Sequence, residues 1–203
     1  MKHVLALIFI LLLASCKQLS YQEELTELLS EDSGNSKELI AGAYRIKATY
    51  LPLRYFELRE LIAIDSATID NDRIEAIKER CRKFYGNGIY FKVTLAKADG
   101  KDIVYDQMSH FGEWSQQLQK LLFGLKEYIY LETDEIKEIP LSVYDFERSF
   151  GYTKDRSMLL VFPKTFNDKS ILDGSSSSLA MHFKDWGWNI GRQKLEWEIS
   201  NLN

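Results

Sequence analysis

Cysteine, proline and histidine are all scarce in this chain. Its 203 residues hold two cysteines, three prolines and three histidines. Two cysteines exclude a disulfide-rich scaffold. Few prolines beside a 13% aromatic content exclude a disordered stalk. Three scattered histidines, with no HExxH, CxxC or paired-His spacing, leave no pattern for a zinc site. Charge of one sign is lacking as well: 26 basic against 30 acidic residues give a net charge of −4. With no basic stripe or patch, nucleic acid is not an expected partner. The nucleotide motifs GxxxxGK[ST] and GxGxxG and the GxSxG elbow are absent, so no cofactor is expected. The remaining scarcity is of long apolar runs, since Val4–Leu13 spans ten residues where a membrane-crossing helix needs about 20.

That run is flanked in an informative way. Lys2 and His3 precede it, and the small residues Ala14 and Ser15 follow, which is the layout of an export signal. A membrane span is excluded by length, leaving an ordinary secretory signal or a lipoprotein signal. Leu13-Ala14-Ser15-Cys16 resembles the lipobox of bacterial lipoproteins, placed where the apolar run ends. The resemblance implies a diacylglyceryl group on Cys16 Sγ, cleavage after Ser15, and acylation of the new Cys16 amine. Two or more acyl chains hold a protein stably in a membrane without a spanning helix. Loss of fifteen residues leaves 188 with a formal charge of −5, enough for one domain. With Cys16 a thioether, Cys81 is the only thiol left and an intrachain disulfide is impossible. Cys81 shares a helical face with Ile74, Ile77 and Phe84, so it is expected to be buried.

Behind the signal, Ser20-Tyr21-Gln22-Glu23 has the form of a capping box. Tyr21, Leu25, Leu28 and Leu29 then line one helical face, and residues 31–37 read as a polar linker. Residues 16–37 are thus a lipidated tether containing a short amphipathic helix, free to dock on the domain or on a partner. Residues 38–203 are expected to form a single domain. Residues 42–51 suggest a strand. Pro52 opens a helix to about Ile64 with Tyr55, Leu58, Leu61 and Ile62 on its apolar side. A second helix over 71–85 follows the capping candidates Asp70 and Asp72 and stops at Gly86-Asn87-Gly88.

Alternation over Ile89–Leu95, an Asp99-Gly100 turn and Ile103-Val104-Tyr105 together predict a hairpin. A third helix over 110–125 places Trp114, Leu118, Leu121, Leu122 and Leu125 on one stripe. Strands are expected over 127–133, 138–144, 157–162, 178–184 and 193–200. The continuous apolar run Met158–Phe162 predicts a central strand covered on both faces. Helices early and strands late predict an α+β fold, a mainly antiparallel sheet packed against about three helices.

Two stretches are candidates for recognition. At the end of a strand, Tyr144-Asp145-Phe146-Glu147-Arg148-Ser149-Phe150-Gly151-Tyr152 interleaves charges with aromatics. Either its aromatics pack and Arg148 pairs with Glu147 or Asp145, or Glu147 and Arg148 present a recognition surface. In Asp185-Trp186-Gly187-Trp188-Asn189-Ile190-Gly191, two tryptophans sit one residue apart in a glycine-rich turn. Either both fold back on the sheet edge, or Trp186 and Trp188, with Asp185 and Asn189, anchor a sugar ring or a protein partner. His182 is expected on a strand face opposite Leu179, Met181 and Phe183, beside Lys184. His110 opens the third helix. Both read as surface or capping residues. Asp173-Gly174 and the four serines after it read as a flexible loop.

The lipobox, the early helices, the Phe146-Glu147-Arg148-Ser149-Phe150-Gly151 turn and the late strands together resemble uncharacterised lipoproteins of the Bacteroidota. That resemblance implies an envelope location and carries no activity or site residues. Lys17, where inner-membrane retention in the proteobacterial sorting rule wants Asp, favours the outer membrane by analogy. The expectation is a non-enzymatic envelope lipoprotein, membrane-bound through Cys16, that binds or scaffolds another envelope protein or a glycan. The alternatives are a glycan-binding module using the Trp186/Trp188 loop and a hydrolase with dispersed carboxylates, which needs a cleft holding two acidic groups.

Overall fold

Alternating apolar residues generate the strands, and the computed structural model, which describes residues 20–64, 70–105, 111–147, 154–173 and 175–202, shows where each face goes. Strands β1 (Ser36–Ala41), β2 (Tyr44–Leu51), β3 (Gly88–Lys97), β7 (Arg156–Pro163) and β6 (Val143–Phe146) form a five-stranded antiparallel sheet in that order. A second antiparallel sheet runs β11 (Gln193–Glu198), β10 (Ser178–Phe183), β4 (Ile129–Thr133) and β5 (Ile139–Pro140). Two short strands, β8 (Thr165–Phe166) and β9 (Lys169–Ser170), make a separate hairpin. The inner faces of the two large sheets share one core, in which the Phe91 ring meets Trp197 at 5.0 Å and Phe162 at 6.2 Å. Ile46, Phe91, Leu160, Leu131, Leu179 and Met181 are all completely buried there. This is face-to-face sheet packing driven by the removal of apolar area from water.

Among the described residues four α-helices accompany the sheets: α1 (Tyr21–Leu28), α2 (Leu53–Ile62), α3 (Asn71–Tyr85) and α4 (Phe111–Gln119). The fold is α+β and mainly antiparallel, as expected. At α1 the capping box forms in full, with the Ser20 hydroxyl accepting from Glu23 N and the Glu23 carboxylate accepting from Ser20 N. At α3 the Asp70 carboxylate accepts from Arg73 N at 2.8 Å. Helices α1 to α3 share a smaller core of Leu61, Ile77 and Cys81, with Tyr21, Phe56 and Tyr85 packed against it. Cys81 is fully buried, as its helical position predicts, and burial pushes its thiol up to about 11. The choice left open for the tether helix falls on the domain. Arg54 of α2 donates two hydrogen bonds to the Glu24 carboxylate, at 2.7 and 2.8 Å, and a third to Glu57.

Several expectations are corrected. Ile103–Tyr105 is a 3₁₀ turn and pairs with nothing as a strand. Both flanks of β3 are already occupied, by β2 and by β7, and Ile103 and Val104 plunge into the core instead. Asp102 fixes this turn by accepting from Val104 N and pairing with the buried Arg156. The Met158–Phe162 strand is not central: β7 lies one in from the edge, with Leu159 and Val161 only half-buried on its outer face. Phe84 is exposed, because its neighbour Tyr85 takes the inward place and stacks on Phe56 at 4.0 Å. The third expected helix is α4 followed by a π-helical segment, Lys120–Gly124, and a 3₁₀ turn, Leu125–Glu127. Leu121 and Leu125 are fully buried within it, while Leu118 and Leu122 pack at its margin.

Candidate functional site

The Asp185–Gly191 loop is organised from within. The Asp185 carboxylate accepts from Gly187 N at 2.8 Å, Trp188 N at 2.9 Å and Gly191 N at 3.3 Å. Burial pushes its pKa upward, and these amide donors outweigh that and hold it below the usual carboxylate range. Gly187, Asn189 and Gly191 all have positive φ, which curls the chain tightly around the carboxylate. The curl turns both tryptophans inward: Trp186 is 1% exposed and Trp188 3%. Trp188 stacks on Tyr44 at 4.7 Å and 18°, Trp186 meets it edge-on at 5.1 Å, and Lys120 Nζ donates to Trp186 O at 2.8 Å.

The tryptophan platform for a sugar ring is therefore corrected. The two rings are core, Asp185 is a loop organiser, and Asn189 alone of the four stays exposed. Glu147 is exposed just beyond β6, on the far edge of the other sheet, where its N–H donates to Ser157 O. Arg148 and Cys16 lie outside the described residues, as does His110. The structure does not bring the candidates of the two stretches together.

It does assemble a cleft that no sequence pattern announced. Asn35, 5% exposed, ties three elements together. Its side chain donates to Leu28 O, while its carbonyl accepts from Tyr50 N and from the Trp197 indole at 3.0 Å. Asn35 thereby sets the start of β1 against the end of β11, leaving between them an open cleft of about 1090 Å³. One wall is Gly34 and Lys37, the opposite wall runs through Glu196, Glu198 and Asn201, and Leu172, Asp173 and Ser176–Ser178 close the end. The serine segment is ordered by Asp134, whose carboxylate accepts from the hydroxyls and backbone N–H groups of both Ser177 and Ser178, four bonds between 2.6 and 3.3 Å. These bonds, the Ser177 hydroxyl foremost, drive the Asp134 pKa well below its ordinary value. The flexible-loop expectation is corrected for the described serines.

Asp173 is held low by Ser175, and Glu196 by the Lys194 ammonium, 2.8 Å away. A hydrolytic pair needs one carboxyl raised so that it can act as an acid near neutral pH. Asp173 and Glu196 are both shifted the other way. No group of metal-ligating side chains occurs among the described residues.

The outer face of the second sheet continues from the cleft. Its rows read Glu198–Ser178, Glu196–Ala180–Glu132 and Lys194–His182–Tyr130. His182 points outward as expected and lies flat on Tyr130, with rings 4.7 Å apart and 2° from parallel. Lys184 sits 4.9 Å from the Tyr130 ring centre, and Glu132 lies 3.6 Å from His182 Nε2. Burial lowers the His182 pKa, and the nearby Lys194 and Lys137 reinforce this against Glu132 and Glu196.

No family model and no curated protein matches the chain. A solved structure of a novel protein of unknown function from Burkholderia pseudomallei is similar at 13% identity, covering 89% of this chain and 86% of that one, with a TM-score of 0.42.

Proposed function

We propose that the protein is a lipid-anchored protein of the bacterial envelope, attached through Cys16, that binds or scaffolds another envelope component. The outer membrane is the favoured site, by analogy with lipoprotein sorting. The observation that carries this reading is the short interval between the lipobox cysteine and the docked helix. Only Lys17, Gln18 and Leu19 separate Cys16 from the capping residue Ser20. However those residues run, four Cα–Cα steps span at most about 14 Å.

The Glu24–Arg54 pair and the packing of Tyr21 then hold α1 to the domain. A lipid on Cys16 would keep the whole domain close to the bilayer surface, with no stalk to carry it away. Such placement suits a module whose partner is itself at the membrane. Among the described residues no helix is long and apolar enough to cross a membrane.

Replacing Cys16 with Ala should move the protein from the membrane to the soluble fraction and abolish palmitate labelling. A variant that stays membrane-bound and labelled would overturn the anchor. Photocrosslinking in the native cell from the exposed Lys37 position should capture an envelope component in the Cys16 form. Absence of any such adduct would overturn the binding role.

A further inference from the structure

The cleft between β1 and β11 has two properties that converge on one kind of ligand. The first is a free strand edge. β11 pairs with β10 alone among the described residues. Antiparallel pairing alternates, so that every second residue turns its backbone N–H and C=O towards the neighbour. Ile199 N donates to Ser177 O, which places Ile199 and Trp197 among those facing β10. Glu198 and Glu196 therefore turn their backbone groups outward, towards the cleft they line. An unpaired edge of this kind is a template for an added strand.

The second property is charge. Asp173, Glu196 and Glu198 line the cleft with Lys37 as the one cation among its lining residues, while Lys194 pairs with Glu196 from outside that lining. Asp134 stands directly behind its serine wall.

We propose that this cleft receives an extended, cationic polypeptide segment, which adds as a strand to the free edge of β11 and sets its basic side chains against Glu196, Glu198 and Asp173. The inference rests on the reading of the protein as a binding module and names the chemistry of its partner. Backbone pairing supplies register, and the carboxylates supply the selection for charge. The cleft offers no exposed aromatic face, since Trp197 is 1% exposed, which disfavours a glycan here.

The test uses the mature lipidated chain in neutral detergent and a fluorescent octapeptide alternating lysine and valine. Binding is read by fluorescence anisotropy. The peptide should bind, its glutamate–valine counterpart should not, and added salt should weaken the complex. Methylating alternate backbone nitrogens should abolish binding by blocking strand addition. Glu196→Lys with Glu198→Lys should weaken it at least about tenfold, from two reversed charges at close range. Both positions are exposed, and an unchanged melting temperature shows that the variant is folded.

No binding of the cationic peptide, equal binding of the N-methylated peptide or of the charge-reversed protein, or preferential binding of neutral cellohexaose would each overturn the proposal. These failures leave the crosslinking result in cells untouched. A protein that captures an envelope partner yet ignores the peptide keeps its binding role and loses this site.

Discussion

Truncating Trp188 to alanine separates a core tryptophan from a recognition tryptophan by a wide margin. The ring is 3% exposed, stacked 4.7 Å from Tyr44 and braced by Trp186 at 5.1 Å. Removing a buried aromatic of this size costs about 3–5 kcal/mol, through lost transfer energy and the cavity left behind. For a domain of this length each kcal/mol lowers Tm by about 2–4 °C, so the expected fall is about 6–20 °C. Urea denaturation followed by far-UV circular dichroism should show a lower midpoint with an unchanged slope. Total stability of such domains is only about 5–15 kcal/mol, so Trp188→Phe serves as the milder partner and should lose about 1–2 kcal/mol. A double-mutant cycle with Tyr44→Ala should return a coupling of about 0.5–1.5 kcal/mol for the stacked pair. A loss below about 1 kcal/mol for Trp188→Ala, accompanied by weaker binding to envelope polysaccharide, would refute the buried placement and restore the exposed platform.

Arg54→Ala should release α1 at a cost of about 1–2 kcal/mol, after discounting for its partial exposure. Hydrogen exchange should quicken in Tyr21–Leu28 and leave β3 and β10 unchanged; equal exchange in α1 would show that the pair with Glu24 does not hold the helix. His182, lowered by burial, is neutral in the fold at a pH where the unfolded chain is already protonated. Its stabilising contribution is therefore full above about pH 6.5 and is lost as pH falls towards the lowered folded value. His182→Phe should flatten that acid limb, and an identical limb in both proteins would assign it elsewhere. Native Cys81, buried and raised to about 11, should react with iodoacetamide at pH 8 at least about a hundredfold more slowly than the unfolded chain. Equal rates would place the thiol at the surface.

Features written in neighbouring residues were legible in the sequence. The cap of α3 at Asp70 and its end at Tyr85 follow from a capping side chain and a 3.6-residue period, both local. The capping box of α1 is equally local, and so is the alternation of Leu179, Met181 and Phe183 against His182. Partner choice was not legible. The Asp99-Gly100 turn carries a hairpin signal, yet β3 pairs with β7, whose residue Ser157 bonds Thr94 across 63 positions. A turn propensity cannot report that a distant strand already fills the slot. Phe84 failed in the same way, because periodicity places Phe84 and Tyr85 on adjoining faces and only the position of Phe56 decides which turns inward.

The cleft is the harder case, since each of its parts reads as bland. Asn35 sits in a polar linker, Asp134 in a turn after β4, the serines in a loop, and Glu196 and Glu198 on the wet face of a strand. Their meeting depends on the Asn35 carbonyl reaching the Trp197 indole, 162 residues away. Conversely, the tryptophans of the Asp185–Gly191 loop pack into the shared core. Exposed function in a small sandwich falls where packing leaves backbone unpaired. The inner faces and the tryptophan loop are consumed by the core, and α2 and α3 cover part of the outer face of the first sheet through Tyr90. The edge of β11 is left without a second neighbour among the described residues, beside Ser177 and Ser178, whose hydroxyls Asp134 already aligns. Such preorganisation lowers the entropy cost of binding, in keeping with the strand addition proposed for this edge.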